Sequence, residues 1–159
     1  MLFHFLRRLG RDTSGIGFIE LALVTPLLGL LFLGMFDTSR IVQTCLDLEQ
    51  AAQRTTDFAL AQRPRNGDAS AIEAEARNAS GAPAEDITVE LIHECGGIAQ
   101  STFTGTCSPG ALSKRFVSVA IQEEVNTGMN WRLFGAWFDG GSTDYIPVTV
   151  TGDSVVRLQ

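Results

Sequence analysis

Between Ile16 and Phe36 lies a run of 21 residues whose only ionisable side chain is Glu20. At about 1.5 Å of rise per residue, a helix over this run measures roughly 32 Å, the thickness of one bilayer hydrocarbon core. The run therefore predicts a single membrane span over residues 16–36. Three arginines, Arg7, Arg8 and Arg11, precede it, and Asp37 follows it directly. Basic residues are retained on the cytoplasmic side, so the N-terminus is expected inside and the C-terminal bulk outside. A secretory signal is a poorer description. The uninterrupted apolar stretch from Leu21 to Phe36 exceeds the usual length of about 7–15 residues, and "LGMFDTS" offers no small-residue cleavage site.

The chain has 159 residues, enough for one modest domain beyond the span, and a formal net charge of −6. The first 15 residues hold three arginines and one aspartate, which leaves the remainder at −8. A domain this acidic lacks the basic face that nucleic-acid binding requires.

The helical pattern does not stop at Phe36. From Asp37 to Arg63 there is neither glycine nor proline, and Phe36, Ile41, Cys45, Leu48, Ala52, Thr55 and Ala59 recur at nearly helical spacing. One helix of about 70 Å is predicted from Ile16 to about Ala61, with residues 37–63 continuing the span and Pro64 ending it. Pro26 should cost this helix one backbone hydrogen bond and loosen it there. Residues 64–159 form the predicted outer domain. "RPRNGDAS" is a loop; Ser70 and Glu73 are spaced as a capping box for a short helix that Gly81 stops. Three strands follow. The first alternates Ile87, Val89 and Leu91 against Thr88 and Glu90; the second carries Val117, Val119 and Ile121 on one face. The third holds Val148 and Val150 before an expected bulge or bend at Gly152. The fold class predicted is α+β: a long N-terminal helix on a small antiparallel sheet of about three strands.

The outer domain would lie in an oxidising compartment, where Cys95 and Cys107 make the natural disulfide pair across the Gly/Ser/Thr-rich loop "GGIAQSTFTGT". Cys45 remains over on the helix. No metal-ligand spacing is present, and His4 and His93 are isolated in sequence. His93 falls on the apolar side of its strand and reads as a packed residue. Trp131, Leu133, Phe134, Trp137 and Phe138 crowd a loop-like segment between the last two strands. They form either a lid over the sheet's core or a contact patch for a neighbouring subunit or the membrane interface, where tryptophan is enriched. No nucleophile elbow, zinc-protease motif or P-loop occurs, and Glu90 and Glu94 would stand about 13 Å apart along their strand, too far for a carboxylate pair. No enzyme and no cofactor is expected.

Glu20 is the fifth residue after Gly15, at the head of the apolar helix and behind a basic leader. This arrangement resembles the processing site of type IV pilin-like proteins, in which a prepilin peptidase cuts after the glycine at the cytoplasmic membrane face. The resemblance implies a leader of residues 1–15 and a mature chain beginning at Ile16; a cut after Gly17 would put Glu20 third, off the family spacing. Cleavage would create an α-ammonium on Ile16, which Glu20 of a neighbouring subunit could neutralise within lipid or a helical bundle. An unpaired charge there is costly, and the pairing would set the axial stagger of an open assembly.

"RRLGRDTSGIGFIELALVTPLLGLLFLGMFDTSRIVQ" further resembles the start of TadE-like proteins, and "IPVTVTGDSVVRLQ" resembles their closing strand with its terminal arginine, here Arg157. The stretch after the span, "QAAQRTTDFAL", departs from the family's Ala/Arg-rich pattern. The resemblance implies a pilin-like fold and the role of a pseudopilin or minor pilin of the tight-adherence pilus, in surface adhesion and biofilm formation. Implied partners are the prepilin peptidase, other major and minor pilins, the inner-membrane assembly platform and membrane lipid. The implied location is the bacterial inner membrane, with the C-terminal domain in the periplasm. A secretion-type pseudopilin and an uncleaved single-span scaffold of a pilus platform remain the alternative readings.

Overall fold

The computed structural model describes residues 16–64 and 66–158, without the side chains of Ile16, Phe18 and Phe134. The leader, with Arg7, Arg8, Arg11 and Gly15, lies outside the described residues. The chain divides into two compact units, with the boundary between Thr38 and Ser39. One helix, α1, runs Ile16–Ala61 and contributes to both.

In the first unit the helix is apolar on every side. Its large hydrophobic side chains from Ile19 to Phe36, apart from the half-buried Leu30 and with Phe18 outside the described side chains, are between 44 % and 74 % exposed, with no polar face among them. A helix apolar all round has to be surrounded by something apolar. This one is long and apolar enough to cross a membrane by length and composition. Pro26 sits inside the unbroken helix. Its missing N–H removes the partner of the Ala22 carbonyl, while Thr25 donates its hydroxyl to the Leu21 carbonyl at 2.6 Å.

The second unit is α+β. After α1 come α2 (Ser70–Ser80), a single 3-10 turn at Ala84–Asp86, β1 (Ile87–Cys95), β2 (Ile98–Ala99), β3 (Ser113–Val125), α3 (Arg132–Asp139) and β4 (Val148–Arg157). The sheet order is β2-β1-β3-β4, with every pair antiparallel. The three long strands are those the alternation predicts. The fourth, β2, is only two residues long and falls within the stretch read as a Gly/Ser/Thr-rich loop. Gly96 and Gly97, both at positive φ, form the two-residue turn that folds it back onto β1.

One face of this sheet builds the core. Val117, Val119 and Ile121 of β3 are fully buried, Val89 and Leu91 of β1 flank them, and Val150 of β4 lies on the other side. The opposite face carries Thr88, Glu90, Ser118, Gln122, Thr151 and Asp153 and is the polar half of the same alternation. Over the core face lies α1, whose Leu48, Ala51, Ala52, Thr55, Thr56 and Ala59 are buried, with Ile41 partly so. The α1 stripe is therefore realised from Ile41 onward; Phe36 lies in the first unit and is exposed.

Most of these helix residues are small, which brings the two backbones close together. At the closest point Gly152 of β4 lies against the backbone of Leu48 and Glu49, where a Cβ would collide with both. Two residues on, the Ser154 and Thr56 hydroxyls are 3.0 Å apart. The expected bulge at Gly152 is absent: the β3–β4 register runs without a break from Phe116↔Arg157 to Val125↔Val148 through Ile121↔Gly152. The glycine admits the helix rather than bending the strand.

The capping box is also corrected. Ser70 is the first residue of α2, and no side chain of the cap position bonds to the helix. Asp68 instead accepts the Ser70 N–H at 2.9 Å. Gly81, at φ 73°, closes the helix as predicted, returning its N–H to the Arg77 carbonyl. Ile72 and Ala76 are the buried positions of α2.

The contacts of β4 also order the two ends of the sheet. Gly152 is level with Leu48–Glu49 and Ser154 with Thr56, so β4 and α1 ascend in the same sense. Val148 and its partner Val125 therefore stand at the end where α1 enters the unit from Ser39. Cys95 and Ser113 close the opposite end.

Candidate functional site

Among the described residues, three groups carry chemistry. The first is Glu20, one helical turn beyond Ile16, with Ile19, Leu21, Leu23 and Val24 exposed around it. Its carboxylate is exposed, and among the described residues nothing pairs with it. A lone carboxylate on an all-apolar helix is costly in hydrocarbon unless a cation from elsewhere meets it. Gly15, the glycine of the processing site expected from the sequence, lies outside the described residues.

The second group is the distal end of the sheet, where Cys95 and Cys107 are disulfide-bonded with their Cα atoms 5.4 Å apart. The chain between them folds back over His93, which is 1 % exposed. His93 Nδ1 is 3.1 Å from the Thr102 carbonyl, and Nε2 is 3.1 Å from the Ser113 hydroxyl. A carbonyl only accepts, so Nδ1 carries the proton, and in the neutral ring Nε2 accepts from Ser113. The Cys107 and Cys95 sulfurs lie 3.6 and 3.7 Å from Nε2. Arg115 closes the loop further, donating to the Gly105 carbonyl at 3.2 Å and lying 5.6 Å from the centre of the Phe103 ring.

This cluster is what sequence spacing missed. His93 is isolated along the chain yet stands against both cysteines in space. The signal that could have located it was the Gly96-Gly97 hairpin turn, which returns the following residues to the end of β1. One donor atom from each of His93, Cys95 and Cys107 lies within 4.8 Å of the others. Both sulfurs are consumed by the disulfide, however, and have no thiolate for a metal. The cluster is a structural clasp: it satisfies a buried imidazole and anchors a loop. Cys45 on α1 is unbonded and partly buried.

The third group is the aromatic segment between β3 and β4. It is not the simple loop its sequence suggests, because Arg132–Asp139 forms α3, ended by Gly140 at φ 68°. The lid reading is not what the described side chains do. Trp137 is 84 % exposed, Phe138 89 % and Leu133 53 %, so they cover no core of this chain. Trp131 is less exposed, at 37 %. Asn130 and Thr143, at either flank, are joined by a 2.7 Å hydrogen bond, and the Tyr145 hydroxyl lies 3.4 Å from Thr127. These bonds give the segment a defined shape.

Elsewhere, the Asp68 carboxyl is held below its ordinary value by the backbone N–H and hydroxyl of Ser70.

No curated protein and no solved structure matches the chain. A family match does exist, and it falls on the apolar helix rather than on the outer sheet. Residues 15–57, from Gly15 through most of α1, match the family of TadE-like proteins.

Proposed function

We propose that the chain is a pseudopilin or minor pilin of the tight-adherence pilus, acting in priming or at the tip and thereby in surface attachment and biofilm formation. The observation that carries this reading is one carboxylate, Glu20, five residues after Gly15 and the only ionisable side chain in residues 16–36, within the matched segment. A prepilin peptidase would cut between Gly15 and Ile16, removing Arg7, Arg8 and Arg11 with the leader. The new ammonium on Ile16 of one subunit would meet Glu20 of another. Each charge solves the other's desolvation problem, so the pair forms where either alone would be excluded. The outer α+β unit, too large for a subunit that is little more than a helix, suits a minor component that contacts other pilins and the inner-membrane assembly platform. Its acidic charge fits a periplasmic location, with the basic leader inside.

The test is N-terminal and intact-mass analysis of membrane-fraction protein with and without a co-expressed prepilin peptidase. A mature chain starting at Ile16 is the expected result. A chain that keeps its arginines beside an active peptidase overturns the pilin reading and leaves a single-span scaffold. For Glu20→Ala, cleavage should persist while incorporation into pili falls by an order of magnitude or more. Equal incorporation would remove the charge-pairing role.

A further inference from the structure

We propose that the segment joining β3 to β4 is a second, peripheral membrane contact: α3 lies in the bilayer interface, with Leu133, Trp137 and Phe138 among the headgroups and upper acyl chains. The inference rests on the reading of residues 16–36 as a membrane span.

Two independent observations lead there. The first is exposure: one eight-residue helix presents a tryptophan at 84 %, a phenylalanine at 89 % and a leucine at 53 %, and the adjoining Ile146 is 59 % exposed. A cluster of this kind on an acidic domain marks a surface that is normally covered. The second is position. β4 ascends with α1, so Val125 and Val148, between which this segment is strung, lie at the end of the unit where the chain enters at Ser39. Phe36, the last residue of the apolar run, precedes Ser39 by three positions. If the run spans a bilayer, Ser39 is at its surface, and the aromatic segment belongs to the same end of its own unit as Ser39.

The chemistry identifies lipid rather than a charged partner. Residues 126–147 carry only Arg132, Asp139 and Asp144, so electrostatics offers little to an acidic or a basic protein face. Tryptophan and phenylalanine at a water–hydrocarbon boundary are the side chains of an interfacial anchor. The hydrogen bonds across the segment, Asn130 to the Thr143 carbonyl and Tyr145 with Thr127, present α3 as a built surface. With almost no net charge, insertion should not depend on anionic lipid.

The test uses intrinsic fluorescence, because the chain contains two tryptophans. The full chain carrying Trp131→Phe, with Trp137 as sole reporter, is reconstituted at low protein-to-lipid ratio into phosphatidylcholine vesicles. Vesicles brominated near the glycerol end of the acyl chains are compared with plain ones, and co-flotation is recorded. The expected result is strong quenching by the brominated lipid, and several-fold weaker quenching by aqueous iodide than for free tryptophan. Added phosphatidylglycerol should leave both unchanged. Co-flotation with Trp137 still fully accessible to iodide overturns this proposal while leaving the membrane span intact. Protection that appears only at high protein density assigns the patch to a second copy and also overturns it. Failure to co-float removes the span and this inference together. As a check on a second side chain of the patch, Phe138→Ser in the Trp131→Phe background should lower brominated-lipid quenching of Trp137 several-fold.

Discussion

The two ends of the sheet solve opposite problems. At the distal end a polar group, His93, is buried, and every neighbour is arranged to satisfy it: Thr102, Ser113 and the Cys95–Cys107 disulfide close around one ring. At the entry end apolar groups, Trp137 and Phe138, are exposed, and nothing in their own unit covers them. A chain that could only fold would do neither, since a histidine is easier to expose and a tryptophan easier to bury. The difference shows that the distal end is complete in itself, whereas the entry end is completed by its surroundings.

Between the two ends the sheet is held to α1 at Gly152, and the largest expected effect lies there. Gly152→Val should cost about 3 kcal/mol, because a Cβ meets helix backbone that no side-chain rotation can relieve. Thermal unfolding of the detergent-solubilised chain would measure it, and a loss below about 1 kcal/mol would show that the helix can back away from the sheet. Next comes the clasp. His93→Ala should cost about 2–3 kcal/mol, since it opens a cavity and strands the Thr102 carbonyl and Ser113 hydroxyl. Limited proteolysis should then cut first between Gly97 and Leu112. If the cleavage pattern is unchanged, the distal end is not the self-contained unit described here.

At the opposite end the same kind of truncation should do almost nothing in solution. Trp137→Ser and Phe138→Ser should each change stability by less than about 0.5 kcal/mol, because neither side chain is packed against its own unit. A cost comparable to that of His93→Ala would erase the contrast between the two ends. The smallest effect concerns Asp68. Folding lowers its carboxyl below the ordinary aspartate value of 3.8, so its contribution is full above that pH and is lost as the pH falls through the lower, folded value. Asp68→Asn should therefore flatten the acid limb of the stability curve slightly, its small cost being greatest at neutral pH and vanishing in acid.

Much of the architecture was legible because it depends on local periodicity. The 46-residue helix, the buried triplet of β3 and the Gly81 stop follow from spacing, propensity and positive φ. The match to TadE-like proteins over residues 15–57 was legible for the same reason, since it lies on the apolar helix. The capping box at Ser70 and the helix α3 were local misses, but the misreadings of Gly152 and His93 depend on a partner distant in sequence. Gly152 looks like a strand irregularity until Leu48 is placed above it. His93 looks isolated until a glycine turn folds Cys107 back. The segment around α3 looks like a loop with a choice of roles, because its aromatic residues alternate with glycine and polar residues that weaken the helical signal.

The sequence by itself determined where this protein is apolar, where it is charged, and that one acid stands alone at the head of a membrane-length helix. These are properties of consecutive residues, and neither charge nor hydropathy needs a fold to be counted. Only the tertiary structure decided that the sheet faces α1 through a glycine, that a histidine and a disulfide lock one end, and that the tryptophan-bearing helix stands exposed at the other. Each of these is a contact, or the lack of one, between segments tens of residues apart. Local preferences carry almost no information about such pairs until the core forms and brings them together.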